Sequence, residues 1–401
     1  MKLLIVPDGH YYIDKEKNVY VESVFDYAFF SRYLSTFDSV WAIVRAKEVD
    51  RAPEGCKLSG GEGVHFLPIP PSRGVVQHVK NLFESKKLIR RYVRDFDCAI
   101  FRVPGVTANS AAPVFARTKK PYAVEVVVDP WEYFSKGTVK CFARPLVRLF
   151  WTAFLKRICM RANGVSYVTS EYLQSKYPCR ALKGAGDEYF TASYSSVELP
   201  DDSFLPPRTF EKKERYVISH AANAFTGYGK GHLTLMRAAK EVIDRGYDVE
   251  VRFVGDGPLM ERFKSFAGEL GISSRVSFLG RLPNGAAVRE VIRNTDMFVF
   301  PTKAEGLPRV VLEAMSEGVP VISSPVCGIP EILPPECLVD SEDHMGYADA
   351  IIRLIESPEL MTAYGERNIR VAEGYRSGIL NEKRKAFYEK LRALAEEKAR
   401  G

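Results

Sequence analysis

The chain has 401 residues, 46% of them hydrophobic and 27% charged, with 29 glycines and 24 prolines. Such a length and composition suit two folded domains and exclude a single small module, a disordered chain, collagen and a coiled coil. The net charge of +7 is uneven, with 29 Lys+Arg against 20 Asp+Glu in residues 1–200 and 28 against 30 in the remainder.

A basic first half can attract nucleic acid, an anionic membrane or a phosphorylated ligand, and charge alone does not choose among them. No apolar run approaches the roughly 18 residues of a spanning helix. The apolar start Leu3-Leu4-Ile5-Val6 ends at Pro7 and is too short for a signal-peptide core. Cytoplasmic residence is the expectation. The seven cysteines include no Cys-x-x-Cys pair, so reduced, buried thiols are expected rather than a zinc or disulfide framework.

In chain order, the first half predicts strands at Lys2–Val6, Ser39–Val44, Cys98–Val103 and Tyr122–Val128, with helices at Val75–Arg94 and Pro145–Arg161. Arg51–Pro71 and Asp129–Val139, rich in Gly, Pro and aromatics, read as long loops, the usual seat of ligand contacts. Ser195–Arg215 carries three prolines and no period, so the domain boundary falls there. The second half predicts strands at Tyr216–His220, Val249–Val254, Val276–Gly280, Met297–Pro301 and Val319–Ser323. Helices alternate with them at Lys230–Arg245, Pro258–Leu270, Ala286–Arg293 and Val310–Ser316. This is the rhythm of an α/β fold with two Rossmann-like domains. A final amphipathic helix is expected from Asn381.

The most informative stretch is Phe300-Pro-Thr-Lys-Ala-Glu305-Gly306-Leu307-Pro308-Arg309, which runs on through Glu313 to Met315. A strand ends, a loop carries Glu305 and Gly306, and Pro308 stands where a helix can begin without needing an N–H. The spare amides of that first turn and the helix dipole seat a phosphate, and Gly306 admits close backbone approach. A carboxylate such as Glu313 can accept hydrogen bonds from two ribose hydroxyls, while Glu305 can meet a sugar projecting from the diphosphate. A solvated helix face with a capping Glu is the plain alternative.

At this point the sequence resembles the retaining GT-B glycosyltransferases of family four, whose signature is two glutamates with seven residues between them. Five further pieces match in order. They are Tyr228-Gly-Lys230-Gly231, Val254-Gly255-Asp256-Gly257-Pro258 and Phe278-Leu279-Gly280-Arg281-Leu282, then Gly318-Val-Pro320 with Gly328-Ile329-Pro330-Glu331. The resemblance implies a GT-B fold: an acceptor domain at 1–198, a donor domain at 199–380, and helix 381–401 crossing back onto the first. It implies Lys230 on the diphosphate beside the amides of Gly306 and Leu307, Glu313 on the ribose and Glu305 on the sugar. It also places Gly255, Arg281 and Leu282 near the nucleotide, and Gly9 near the sugar phosphates.

Family members add an arginine several residues before the lysine. Here Ser219–Gly229 contains none, and His220 is the one residue there that could be cationic. On the acceptor side, Asp129 is the expected base, with Glu125 and His10 as further candidates. Each has an ordinary structural reading as a turn cap or a strand-end residue. Asp95-Phe-Asp97 has the form of a metal-binding Asp-x-Asp but reads as a helix–strand connection, and no metal or cofactor is expected. The donor would be a UDP- or GDP-linked sugar.

From Lys80 to Arg161 there are 17 Lys+Arg against 6 acids. The helices 75–94 and 142–161 interleave Phe83, Phe142, Leu146, Leu149, Phe150, Trp151 and Phe154 with that charge, a pattern suited to anionic lipid. Packing against the chain's own sheet explains each helix equally well. The acceptor is therefore expected to be a sugar, lipid-linked or part of a growing surface polysaccharide. No nucleic-acid partner is expected. An epimerase of the same fold, or an inactive partner subunit, are the other readings.

Overall fold

The computed structural model describes residues 1–71, 74–134 and 143–400. In the first half the strands are β1 (Lys2–Val6), β2 (His10–Ile13), β3 (Val19–Val21), β4 (Ser39–Glu48), β5 (Lys57–Leu58), β6 (Val64–Ile69), β7 (Cys98–Val103), β8 (Tyr122–Val126), β9 (Gly164–Tyr167) and β10 (Phe190–Ser193). The helices among them are α1 (Tyr27–Ser31), α2 (Gly74–Tyr92), α3 (Val106–Phe115), α4 (Pro130–Tyr133), α5 (Arg144–Cys159) and α6 (Tyr172–Lys176). One sheet runs β10-β9-β8-β7-β1-β4-β2-β3-β5, with β6 also on β4. Its centre is parallel, Leu4 of β1 lying between Ala99 of β7 and Trp41 of β4. These central strands are almost wholly apolar, as strands buried on both faces must be.

The second half contains β11 (Arg215–Ala224), β12 (Asp248–Asp256), β13 (Val276–Phe278), β14 (Met297–Phe300) and β15 (Val321–Ser323). Its helices are α7 (His232–Asp244), α8 (Met260–Glu269), α9 (Gly285–Arg293), α10 (Arg309–Ser316), α11 (His344–Glu356), α12 (Pro358–Glu373) and α13 (Ser377–Arg400). The parallel sheet runs β13-β12-β11-β14-β15. Strand order reverses between β11 and β14. In an open α/β sheet that switch point, at the carboxyl ends of the strands, is where ligands bind.

The last helix leaves the second domain and lies against β10, β9 and β7 of the first sheet. Phe387 meets Phe190 edge-on at 5.1 Å, and Tyr388 meets Tyr33 at 4.7 Å. The two chain crossings are tied together. Ser377 N–H donates to Leu199 C=O at 2.8 Å, and Arg376 pairs with Asp201 while covering the Phe204 ring. One apolar cluster runs from the first sheet through Phe298, Leu307 and Leu312 of the second domain, so the domains share a core at their contact.

Some elements differ from expectation. Arg51–Pro71, read as loop, contains β5 and β6; Pro68 misleads there, yet it sits on a strand paired on one side, where a missing N–H costs nothing. Asp129–Val139 begins with the short helix α4, and residues 135–139 lie outside the described residues, as does Phe142. The final helix starts at Ser377, one turn before Asn381.

Candidate active site

Lys230 follows β11 and Glu305 follows β14, the two strands at the switch point. Their loops touch. Lys303 N–H donates to Gly229 C=O at 2.8 Å. Gly231 has φ +77°, and a Cβ there would sit 2.1 Å from the Pro301 carbonyl oxygen, so only glycine fits the approach. The ammonium of Lys230 thereby reaches the Glu305 carboxylate directly, and the Thr302 hydroxyl lies 3.5 Å from the same oxygen. Lys230 stands in the turn before α7, which begins at His232.

Pro308 caps α10, and the helix begins at Arg309. Glu305 is therefore a loop residue, and helical periodicity does not relate it to Glu313. Glu313 lies half-buried on α10. Burial pushes its carboxyl up, and the charges of Arg309 and Arg289 pull it back. Arg309 stands four residues before Glu313, one helical turn away, and that spacing alone marks it as a neighbour of the carboxylate. Gly306 is pressed against the first domain, a Cβ there falling 2.1 Å from Val127 O. The Leu307 side chain is buried in the shared core.

One expected donor contact is corrected. His220 is completely buried, with Nε2 at 2.7 Å from Lys230 C=O. Burial lowers its pKa to about 4, so it is a neutral brace behind the turn and not a phosphate-binding cation. Gly255 donates its N–H to Gly280 C=O at 2.9 Å, and Ala222 O would lie 1.8 Å from an added Cβ. Its N–H is thus committed to the neighbouring strand end, and glycine is required for the close approach to Ala222. Arg281 is exposed, and its charge is felt by Cys56 of the first domain. Leu282 packs at the edge of the shared core.

In the first domain the structure removes both expected acids. Asp129 is fully buried and caps α4 by accepting from Trp131 N–H at 2.8 Å. It also accepts from the Tyr172 hydroxyl at 3.1 Å, from the Tyr177 hydroxyl and from Lys176 Nζ at 3.4 Å. With those four donors it is an anchor, not a base facing an acceptor. Glu125 is buried too, held by Arg102 at 2.9 Å and by the hydroxyls of Tyr33, Tyr194 and Tyr388 at 3.3, 3.2 and 3.1 Å. It fastens α13 to the sheet.

The more accessible carboxylate on this edge is Asp8, paired with Arg45 at the end of β1. Gly9 beside it is buried under the Tyr11 and Phe25 rings, and His10 stands in register with Arg45. Asp97 accepts from Lys2 N–H at 2.7 Å, which ties β1 to the turn before β7. Among the described residues, no group of three or more His, Cys, Asp or Glu side chains is placed to hold a metal ion.

Residues 215–357 match the family described as glycosyl transferases group 1. The second domain belongs to that family. Over its whole length the chain is similar to Protein CapJ of Staphylococcus aureus, 29% identical over 376 residues that span 92% of this chain and 89% of CapJ. It also resembles the solved structure of sucrose-phosphate synthase from Thermosynechococcus elongatus, with TM-score 0.68, 15% identity and coverage of 98% and 99% of the two chains. A third likeness is Anabaena Alr3699/HepE in complex with UDP, with TM-score 0.65, 15% identity and coverage of 96% and 99%. These likenesses establish the expected GT-B fold.

No helix among the described residues is long and apolar enough to cross a membrane. The first domain nevertheless exposes large apolar side chains on its basic helices. Phe83 of α2 is 90% exposed, and Leu146 and Phe150 of α5 are 71% and 63% exposed. Arg148 stacks over the Trp131 ring at 3.7 Å beside them.

Proposed function

We propose that the chain is a retaining, metal-independent glycosyltransferase that moves a sugar from a UDP- or GDP-linked donor to a hydroxyl of a sugar acceptor. The direct contact of Lys230 with Glu305 at the switch point, facing the first domain across Gly306, is the observation that carries this reading. Lys230 and the amides of Gly306 and Leu307 receive the diphosphate, Arg309 adds a second cation near Glu313, and Glu313 accepts from the ribose hydroxyls. When the donor enters, its phosphates replace Glu305 on Lys230, which frees Glu305 for the sugar. Stabilising the departing diphosphate is the barrier-lowering step open to these groups.

Retention rests on the likeness of the Glu305 and Glu313 pair to the signature of the retaining family. The bond from the anomeric carbon to the phosphate oxygen breaks while the acceptor oxygen bonds the same sugar face. The acceptor proton passes to the departing phosphate. The UDP seen with the similar Anabaena protein supports a uridine donor. The exposed Phe83, Leu146 and Phe150 amid basic charge support a lipid-linked acceptor approached at an anionic membrane.

The test is transfer of radiolabel from UDP- and GDP-sugars to a membrane extract. Lys230→Ala and Glu305→Gln are expected to reduce transfer by roughly a hundredfold or more, with each variant still folded. Near-normal transfer by both contradicts the proposal.

A further inference from the structure

Glu331 follows β15 in the second domain, yet its carboxylate is bound entirely by the first. Oε2 accepts from Ser170 N–H at 2.6 Å, and Oε1 accepts from Tyr172 N–H at 2.7 Å and Glu171 N–H at 3.1 Å. These three amides open α6, just beyond β9. A helix start leaves such N–H groups without internal partners, and here one charged side chain from the other domain satisfies all three.

The same segment is joined to the donor loop. Gly328 N–H donates to Gly306 C=O at 2.9 Å. Gly328 lies so close to the first domain that a Cβ would fall 2.6 Å from Thr169 Cγ2, as a Cβ on Gly306 would fall 2.1 Å from Val127 O. Glu331, Gly328 and Gly306 thus form one strip seated on the carboxyl ends of β8 and β9. Glu305 is the next residue along it.

We propose that Glu331 is a positioning residue for sugar transfer, a latch that holds the acceptor domain against the strip carrying Glu305. The catalytic part of this inference rests on the donor-site reading given above. The latch touches neither sugar nor nucleotide. It acts by keeping the reacting edges of the two sheets at a fixed separation, and closure of this kind is an equilibrium that one interdomain contact can bias. Glutamate suits the task because two oxygens are needed for three donors and its length spans the gap. Glutamine replaces one acceptor oxygen with an NH2 group aimed at N–H donors, and aspartate is one methylene too short.

The test uses the full chain with Glu331→Gln and Glu331→Asp. Small-angle X-ray scattering without nucleotide is expected to show a larger radius of gyration for both variants. Calorimetry with UDP is expected to give wild-type affinity, because the nucleotide sits on the second domain alone. Turnover at saturating donor is expected to fall tenfold to a hundredfold, the scale of a misplacement of about 1 Å. A purely structural contact would instead lower Tm and leave turnover per folded molecule unchanged, and that result overturns the proposal. So does a wild-type scattering profile in both variants. If the wild-type chain neither binds UDP nor transfers sugar, the donor-site reading fails, and the scattering comparison still decides the latch.

Discussion

Two histidines packed together behind the Lys230 turn set a pH window for folding. His220 and His232 lie 4.5 Å apart between Phe253, Phe225 and Phe263, and both ring nitrogens of His232 lack hydrogen-bond partners. Burial holds His220 at about 4 and His232 at about 2, against 6.5 for a free histidine. The unfolded chain therefore binds more protons than the folded one below pH 6.5. Stability is complete above that pH and is lost as pH falls toward 4 and below, by about 2 kcal/mol per histidine at pH 5. His232→Phe is expected to flatten urea-denaturation stability between pH 7 and 5, and an unchanged slope contradicts this. His220 also shows what residue type alone cannot tell. A histidine ending a strand reads equally as ligand or core, and only its complete enclosure decides.

The same limit explains the acids of the first domain. Glu125 and Asp129 looked like a base and its helper at the end of a strand. The partners that enclose them come from residues 33, 102, 172, 176, 177, 194 and 388, distances in sequence that no local pattern reveals. Removing the charge of Glu125 leaves the guanidinium of Arg102 buried without its ion-pair partner. Glu125→Gln is expected to destabilise the fold by roughly 3–5 kcal/mol in denaturant melts, while leaving donor affinity intact in whatever remains folded.

At the scale of elements, the loops after β11 and β14 carry the site, and glycine is what lets them meet. Gly231→Ala places a Cβ against the Pro301 carbonyl at positive φ, and Gly306→Ala places one against Val127. Gly231→Ala is expected to destabilise by a few kcal/mol. Gly306→Ala is expected to lower turnover more than Tm, because the domain contact rather than a domain interior must give way. Equal effects on Tm from the two variants contradict that distinction. Most of the second domain was legible, its strands and helices alternating with clear periods. In the first domain α3 escaped notice because Val106–Phe115 is rich in small residues and contains Pro113, leaving no apolar stripe to count. Short strands such as β9 and β10 gain their stability from neighbours in the sheet, and four residues carry too little pattern to announce them.

Considered whole, the molecule divides its labour by charge and by surface. The basic first domain presents Phe83, Leu146 and Phe150 to solvent, and the second domain gathers Lys230, Glu305, Glu313 and Arg309 at its switch point. The pair Leu146→Asp and Phe150→Asp is expected to reduce sedimentation with phosphatidylglycerol vesicles severalfold while leaving UDP affinity unchanged. Undiminished vesicle binding removes these helices from any membrane role. The proposed reaction turns on an anionic leaving group held by Lys230. Isothermal titration of the wild-type chain and Lys230→Ala with UDP and GDP tests it most directly. One of the two nucleotides should bind the wild type and lose at least about tenfold in affinity with the variant. Equal affinity in the two proteins, or no binding of either nucleotide to the wild type, contradicts the account.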